Sequence, residues 1–511
     1  MNYTFQEHFA HFNEDKTKYM DDVLRIFSDK ILSKTAGLTV KSQILAVLLQ
    51  NKDKESFKLL HNFLDLPEIV RACEILDSDR FKRQTKEKLK KHPESKKLVT
   101  RMAQLTSLTD GLTGGYENLS FSLSKIKIVK QWVHSLTKDQ IEYRAMLFPS
   151  TTLWKKLADL THLNPTTDFP AGCEWFLPYC FGKPLPDDNI ANKFKTMTYD
   201  NFAELYDKYN FAYELIRTKL KLDQSSVRYM SKDSEKIKSI KISIVNREKL
   251  TTVLWYWDEL VEEYNIIDVL QRIRNSEDSI DLSYGKIVDI ISKTTNPEVM
   301  KELVKIGEER LNNYKINLEQ PVAVFGDKSG SMEIAIKTSG IITSLLCCIC
   351  NADLHLFHSH TQHFPDPPRT IADAVKFGKE VKTEGYTAPA ASLMYYYVQQ
   401  KKLATILLIT DEEENNSCGG YRFADLYLKY LNEVCQNGSP TRLVFISFTD
   451  PNTDGVMVKC LKTSLIGRTV CGSLMTEERF NNLIKVFKFN VKDPDLNRMD
   501  VVLKYLSGCM N

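Results

Sequence analysis

One loop of the sequence carries three oxygen-bearing side chains at a spacing that suits a divalent cation. Asp327, Ser329 and Ser331 follow the apolar run Pro321–Phe325 in the order D-x-S-x-S. A loop that leaves a buried strand can turn alternate side chains toward one point, and a carboxylate with two hydroxyls offers the oxygen ligands that Mg²⁺ or Mn²⁺ prefers. Alone, the string is a weak signal, because loops rich in Asp, Ser and Gly are often ordinary turns.

Two later loops add oxygen atoms of the same kind. Thr387 lies in the segment Glu-Gly-Tyr-Thr-Ala-Pro-Ala, ahead of a predicted helix, and Asp411 directly follows the apolar run Ala404–Thr410. If the two apolar runs are neighbouring parallel strands, their carboxyl ends meet at the edge of the sheet where open α/β sheets bind ligands. The sequence therefore predicts one site for Mg²⁺ or Mn²⁺, with the ligands Asp327, Ser329, Ser331, Thr387 and Asp411.

The order of these motifs resembles a von Willebrand factor A domain. The metal-ion-dependent adhesion site of that family is built from D-x-S-x-S, a separate Thr and a separate Asp, in this chain order. The resemblance implies that Ser329 and Ser331 touch the ion directly. It also implies a protein ligand that offers an Asp or Glu side chain to the metal.

Strand and helix patterns alternate around these loops. Such alternation predicts a doubly wound, Rossmann-like parallel sheet over residues 319–511, with helices on both faces. The predicted helices are Ile334–Cys350, Thr370–Lys379, Pro389–Gln400, Arg422–Cys435 and Thr476–Phe487. Strands are predicted at Ala352–Ser359, Ala404–Thr410 and Thr441–Phe448, besides the one before Asp327.

Residues 1–318 have apolar side chains at helical spacing throughout, with short polar joints. We predict an all-helical scaffold, with a HEAT-like solenoid or a ring as the candidate arrangements. The segment Pro165–Asp188, with five prolines and two glycines, predicts a long loop wrapped on apolar residues such as Trp175 and Phe176. A second helical tract is predicted to cover Tyr199–Thr218, Glu248–Arg274, Tyr284–Ser292 and Asn296–Asn312.

Composition indicates a globular protein without membrane association. The chain has 511 residues and a net charge of +3, so a nucleic-acid surface would need local segregation of charge. No run of about 18 apolar residues occurs, and the segment Met1–Lys16 is polar. Eleven scattered cysteines do not form a disulfide framework. We therefore expect a cytoplasmic protein.

Basic residues are concentrated in two stretches of the helical part. Arg80–Arg101 holds ten Lys or Arg residues against two acids, and Arg217–Lys249 holds ten against four. Such runs can follow a phosphate backbone or form a solvated helix face, and the sequence leaves both interpretations open. The predicted RNA-binding residues are Arg80, Lys82, Arg83, Lys86, Lys88, Lys90, Lys91, Lys96, Lys97, Arg101, Arg217, Lys219, Lys221 and Arg228.

Three features beside the metal loops have alternative interpretations. The four histidines of the segment His355–His363 could bind zinc or copper, although strand alternation sends the first to the opposite face from the next two. The acidic run 411–414 either strengthens the field at the cation or is a solvated loop. Lys328, inside the metal motif, is expected to lie close to the ion, where it either pairs with one of these acids or weakens metal binding.

The order of the two parts resembles the TROVE-module proteins, the Ro autoantigen family. The segment Trp154–Pro165 looks like part of that module, and Ser329–Met332 with the later Gly385–Thr387 looks like its metal motif. The resemblance implies a ring of helical repeats that binds the 3′ ends and stems of small noncoding RNA, closed by an A domain.

No catalytic motif of the common nucleotide-binding, esterase or metalloprotease types occurs in the sequence. A cation held mainly by neutral hydroxyls stays electrophilic and suits the capture of an acidic ligand. We therefore predict a non-catalytic, RNA-binding component of a ribonucleoprotein. The alternative is a cytosolic adaptor that captures an acidic partner residue through the cation, without RNA, and a metal-dependent hydrolase is a remote third.

Overall fold

The structure is a computed structural model in which the chain forms two compact units, Met1–Ile244 and Val245–Asn511. The predicted domain boundary at residue 318 stays a prediction. The residues that the structure describes are 4–28, 30–107, 121–147, 150–222, 234–275, 282–314, 316, 318–435, 439–449, 455–490 and 496–508.

The first unit is helical, as predicted. Several helices begin at capping boxes, in which an N-cap side chain and a Glu or Gln three residues later satisfy each other's backbone donors. Thr4 with Glu7 and Asp65 with Glu68 are two such pairs. The described helices are α1 (Phe5–Glu14), α2 (Lys16–Ser28), α3 (Lys30–Gln50), α4 (Lys54–Leu59), α5 (Leu66–Leu76), α6 (Ser78–Lys91), α7 (Lys96–Ser107), α8 (Leu123–Ser135), α9 (Lys138–Met146), α10 (Ser150–Thr161), α11 (Phe176–Cys180), α12 (Ile190–Lys195), α13 (Phe202–Tyr209), α14 (Tyr213–Leu220) and α15 (Ser234–Arg247), the last of which spans the division.

The predicted helical character of Tyr199–Thr218 is confirmed: the segment contains α13 and the start of α14, which are separate because Asn210 adopts a left-handed conformation that ends α13. One prediction for this unit needs correction in detail. The segment Pro165–Asp188 is not entirely loop, since it contains α11. Phe176 of that helix packs edge-on against Trp154, with ring centroids 5.2 Å apart.

The second unit combines helices with a six-stranded sheet. The strand order is β3-β2-β1-β4-β5-β8, with all neighbours parallel except the edge pair β2 and β3. The strands are β1 (Val322–Asp327), β2 (Asp353–Phe357), β3 (Thr361–Phe364), β4 (Thr405–Thr410), β5 (Arg442–Ser447), β6 (Thr469–Val470), β7 (Ser473–Leu474) and β8 (Ile484–Lys488), where β6 and β7 form a separate hairpin. The helices are α16 (Leu250–Trp255), α17 (Trp257–Leu260), α18 (Ile266–Asn275), α19 (Tyr284–Lys293), α20 (Pro297–Tyr314), α21 (Ile336–Cys350), α22 (Ile371–Glu380), α23 (Ala390–Val398), α24 (Phe423–Tyr430), α25 (Val456–Leu465), α26 (Glu477–Leu483) and α27 (Met499–Leu506).

Helices cover both faces of this sheet, so the predicted double winding is confirmed. Every residue of β1 and β4 is buried. Alternate residues of these strands, such as Phe325 and Leu408, face a core that they share with α23, α24 and α25. Helix α21 packs on the other face of the sheet, where Thr343 approaches Gly326. Strands buried on both sides read as continuous apolar runs, which is why the sequence predicted these two correctly.

One predicted helix is partly wrong. The segment Thr476–Phe487 is helical only to Leu483, and Ile484–Lys488 is strand β8, parallel to β5. Phe480, Leu483 and Phe487 have the spacing of a helix face, so the local pattern favoured a helix. Hydrogen bonding to β5, which lies far away in the sequence and pairs in the register Leu443 to Ile484, overrides that preference.

The tail that the sequence left unplaced packs within the second unit. Asp500, at the start of α27, is buried and accepts hydrogen bonds from the backbone N–H groups of Tyr284 (2.9 Å) and Gly285 (3.0 Å). It therefore supplies acceptors for the first turn of α19. Among the described helices, none is long and apolar enough to cross a membrane.

Two glycines let α21 and α22 meet at backbone distance. A Cβ atom added to Gly340 would lie 2.7 Å from the carbonyl oxygen of Gly378, and one added to Gly378 would run into the backbone of Gly340 and Ile341. Both added Cβ atoms would clash with backbone atoms, which cannot move aside as the end of a flexible side chain can. The two helices would therefore have to separate.

Gly378→Ala is therefore expected to lower the free energy of unfolding by about 1–3 kcal/mol, measured by denaturant titration. Gly307→Ala is the matched control, since Gly307 is also a helical glycine. Its added methyl would meet only side chains, at 3.3 Å from Ile371 Cδ1, and alanine gains about 1 kcal/mol of helix propensity. Equal losses in the two variants would contradict the backbone contact.

Candidate functional site

We call the three loops that carry the predicted metal ligands the metal loops; the first leaves the sheet between β1 and α21. Asp327 is the last residue of β1, Ser329 is the N-cap of the short 3₁₀ turn that follows, and Ser331 lies within that turn. Asp327 Oδ1 accepts a hydrogen bond from the Ser329 N–H (2.9 Å), and the Ser329 and Ser331 hydroxyl oxygens are 3.1 Å apart. Asp327 and Ser329 are buried, whereas Ser331 is exposed. The loop thus brings its three predicted ligands together at the carboxyl end of the sheet, beside the point where the strand order reverses.

The second loop, which carries Thr387, is held against the first by backbone hydrogen bonds. The Gly330 N–H donates to the Gly385 carbonyl (3.1 Å), and the Glu384 N–H donates to the Lys328 carbonyl (2.7 Å). Gly385 has φ +65, and a Cβ there would lie 2.8 Å from Ser359 Oγ, so glycine is required for this approach. The hydroxyl of Thr387 is buried and has no hydrogen-bond partner within the described part of the chain.

The third loop begins at Asp411, after β4. The Asp411 carboxylate accepts a hydrogen bond from the Glu413 N–H at 3.1 Å, and it lies close enough to the Ser331 hydroxyl for that group to act on its pKa. The Asn416 N–H donates to the Thr387 carbonyl (3.0 Å), so this loop is tied to the second. The structure therefore places the five predicted ligands on three interconnected loops at one end of the sheet.

The neighbouring acids of the run 411–414 make different contacts. Glu412 is fully buried and accepts hydrogen bonds from the Ser447 hydroxyl and from the Val458 N–H in the first turn of α25. Glu414 accepts from the Phe423 N–H at the start of α24 (2.7 Å), and burial raises its pKa to about 7. Both therefore anchor helix N-termini, where a carboxylate is favoured, and only Glu413 of this run is fully exposed.

The two carboxylates of the site perturb each other. Burial first, and then the nearby charge of Asp411, raise the pKa of Asp327 to about 7, although hydrogen bonds from Ser329 and Thr410 oppose the rise. Burial likewise raises the pKa of Asp411, against the lowering effect of the nearby Ser331 hydroxyl. Desolvated carboxylates that repel each other favour a positive species between them. The donor set and the unpartnered Thr387 hydroxyl fit a hard cation.

The side chains of Lys328, His355 and His363 contact residues other than the predicted metal ligands. Lys328 pairs with Glu384 (3.1 Å) rather than with the acidic run. His355 is buried, bonds to the Tyr396 hydroxyl (2.9 Å) and stacks on His363 of the adjacent strand at 4.6 Å. Burial lowers the pKa of His355 to about 3. In the described ranges, no group of three or more His, Cys, Asp or Glu side chains could hold a metal ion, so the histidines do not assemble a second centre there.

Sequence reasoning missed two residues that orient the metal loops. The Thr410 hydroxyl donates to Asp327 Oδ2 (2.6 Å) and accepts from the Glu412 N–H, and Asn415 accepts from the Thr387 N–H (2.8 Å). Thr410 is the last residue of β4, after the apolar run Ile406–Ile409 and immediately before a predicted ligand. A hydroxyl at the end of a strand, next to a predicted ligand, is the sequence signal by which Thr410 could have been identified.

The first basic run forms two consecutive helices, α6 and α7, that pack on each other. Phe81 lies between them, with the Arg80 guanidinium 5.4 Å and the Arg101 guanidinium 5.8 Å from its ring centre. Arg80 also pairs with Asp77, and Arg80 and Lys82 are partly buried. The exposed basic residues, which we call the basic surface, are Arg83, Lys86, Lys88, Lys90, Lys91, Lys96, Lys97 and Arg101.

The charge on this surface is not neutralised locally. Within the described residues, no ion pair involves any of its eight side chains. Lys86 and Lys90 are four residues apart on α6, a like-charge spacing that destabilises a helix by about 0.2–0.5 kcal/mol. Lys96 and Lys97 stand in the first turn of α7, which has no acidic residue, so they add to the positive end of the helix dipole.

The second basic run exposes fewer of its side chains to a ligand. Lys219 is half-buried and donates to the Lys195 carbonyl at the end of α12 (2.6 Å), which gives it a structural role. Arg217 is half-buried, and Lys221 is exposed at the end of α14. Arg228 lies outside the described residues. Their part in RNA binding stays a prediction.

Comparison with known proteins gives a match at the level of structure. No protein-family model matches the sequence, and no curated protein is significantly similar to it in sequence. The crystal structure of the Ro (RSR) protein of Deinococcus radiodurans matches with a TM-score of 0.52 and 12% sequence identity. The match covers 95% of this chain and 91% of that chain. Over nearly its whole length, the chain therefore shares the fold of that Ro protein.

Proposed function

We propose that the protein is a non-catalytic, RNA-binding component of a ribonucleoprotein. In this proposal the helical unit binds small noncoding RNA, and the sheet unit is a metal-dependent A domain. The observation that carries it is the basic surface of α6 and α7, whose eight exposed cations have no ion-pair partner among the described residues. The shared fold with the Ro protein supports it, because the TROVE-like features of the sequence imply the same kind of partner.

The electrostatics of the basic surface explain how it would hold RNA. Like charges four residues apart and lysines at a helix N-terminus both cost stability in the free protein. Phosphate groups would remove both costs and release their condensed counterions, which makes binding salt-dependent. The Phe81 ring, which lies within 6 Å of the Arg80 and Arg101 guanidinium groups, limits the freedom of these two side chains. Such a surface recognises the charged phosphate backbone of RNA rather than its base sequence.

The five predicted ligands are the residues that would hold Mg²⁺ or Mn²⁺ in the A domain. When bound, the ion supplies an electrophilic position that an acidic side chain of a partner can complete. Ser331 is exposed, so the centre opens to solvent on that side. Thr387 and Asp327 are buried and would hold the ion together with the three other predicted ligands.

A second function, a protein adaptor without RNA, is favoured by the surroundings of the metal loops. Ile334 and Tyr386 are 70% and 68% exposed, and they lie three residues after Ser331 and one before Thr387. Large apolar side chains beside a polar centre are typical of protein interfaces. In this alternative the cation captures an Asp or Glu, and the neighbouring apolar residues contact the rest of the partner.

The test is whether nucleic acid accompanies the native protein. Purification at moderate salt, followed by the ratio of absorbance at 260 and 280 nm and sequencing of extracted RNA, is expected to reveal discrete small RNAs. A clean protein that also ignores structured and single-stranded RNA in titrations would leave the adaptor as the working function.

A further inference from the structure

A cavity of about 440 Å³ lies at the end of the sheet opposite the metal loops. Its walls come from residues that precede or begin the neighbouring strands β1, β4 and β5, and from α26. Its volume is within the range of small-molecule sites. The lining residues are Glu319, Lys402, Ala404, Ser439, Pro440, Arg442, Arg479, Asn482 and Leu483.

The polar lining is dominated by positive charge. Lys402, Arg442 and Arg479 stand against a single carboxylate, Glu319. Within the described chain, none of these four side chains takes part in an ion pair. Lys402 and Arg479 both lie close enough to Cys471 to lower its pKa, against a larger rise caused by burial, so their fields overlap. The cavity therefore has a field that attracts anions.

Both arginines are held in place by neutral contacts. Arg442 donates from Nη2 to the Tyr505 hydroxyl (2.7 Å) and lies 5.8 Å from the centre of that ring. Arg479 donates from Nη1 to the Leu474 carbonyl (3.0 Å). A guanidinium has five N–H donors, so each arginine keeps further donors for a ligand while its orientation is restricted. Preorganised guanidinium groups suit bidentate binding of phosphate oxygens.

We propose that this cavity binds a phosphate monoester, with Lys402, Arg442 and Arg479 holding the phosphate. A terminal phosphate carries nearly two charges at neutral pH, so it gains more from three cations than a carboxylate does. The cavity is larger than a phosphate group, and Ser439 and Asn482 offer hydrogen bonds to hydroxyl groups on an attached sugar-sized moiety. The proposal does not depend on RNA binding by the helical unit.

The test uses the full-length protein and calorimetric titration with ribose 5-phosphate. Replacement of Lys402 and Arg479 by Gln is expected to weaken binding by roughly tenfold or more, because hydrogen bonds to charged groups are lost. Both side chains are exposed, so the variant should fold. Glu319→Gln removes the opposing carboxylate and is expected to tighten binding by about threefold. Arg468→Gln, an exposed arginine outside the cavity, is the matched control and should leave affinity unchanged.

Further titrations separate the sources of the phosphate. Ribose and sulfate are expected to bind more weakly than ribose 5-phosphate, and equal affinity for sulfate would overturn the assignment to a monoester. An RNA oligonucleotide with a 5′-phosphate, compared with its 5′-hydroxyl form, tests a nucleic-acid end as the source. Loss of the 5′-phosphate preference in the Lys402 and Arg479 variant would support that source, and ribose 5-phosphate binding without such a preference would support a small metabolite. Absence of any monoester binding, or binding unaffected by the variant, would overturn the proposal.

Discussion

Replacing four exposed lysines of the basic surface by Gln is expected to weaken RNA binding by about a hundredfold at about 0.15 M salt. The four are Lys86, Lys90, Lys96 and Lys97. Each phosphate contact adds the free energy of counterion release. For single strands, each contact contributes about 0.7 to the slope of log affinity against log salt concentration, so the loss of four contacts should reduce the magnitude of that slope by about 3. Fluorescence anisotropy with a labelled small RNA across a salt series measures both quantities.

The same substitution should not harm the fold. Gln and Lys have similar helix propensities, and removing lysines from a like-charge pair and from the first turn of α7 relieves repulsion. The matched control replaces four other exposed lysines of the first unit by Gln: Lys18, Lys54, Lys58 and Lys127. Equal losses of affinity in both variants would indicate that net charge alone attracts the RNA, and no loss in either would sink the proposed RNA surface.

The metal loops show what local sequence can predict. A buried parallel strand reads as an apolar run, and the polar residues after it must lie at the carboxyl end of the sheet. Asp327 and Asp411 could therefore be placed at the same edge of the sheet, and they lie beside each other because β1 and β4 are neighbouring strands. The helices around them were also predictable, because each has apolar residues at a regular helical spacing.

Other features depend on contacts between distant residues. Strand β3 is short, polar and paired only along one edge, so its residues carry no period that distinguishes a strand from a loop. Glu412 reaches the N–H of Val458, 46 residues later, and Lys219 caps a helix that ends 24 residues before it. A charged residue committed to such a contact looks the same in the sequence as one that is free to bind a ligand. Only the burial of the side chain in the folded protein distinguishes the two kinds of residue.

Asp327→Asn is expected to abolish stabilisation of the protein by Mg²⁺. A ligand that binds only the folded state at about 100 times its Kd adds about 2.7 kcal/mol, which corresponds to several degrees in the melting temperature of a unit of this size. In chelator the variant should be at least as stable as the original protein, because it removes a buried carboxylate that Asp411 repels. Thermal melts with excess Mg²⁺ and with EDTA give both values.

The opposite signs in the two buffers distinguish a metal ligand from a residue that merely supports the loops. A supporting residue would lose stability in EDTA and in Mg²⁺ alike when it is changed. Thr387→Val is a second variant with the same logic, since its hydroxyl is buried without a partner in the described chain and valine has nearly the same shape. Glu413→Gln, an exposed acid of the third loop, is the control that should keep the full Mg²⁺ shift. If the shift persists in Asp327→Asn, the ion binds elsewhere, and the proposed capture of an acidic partner residue at these loops is contradicted.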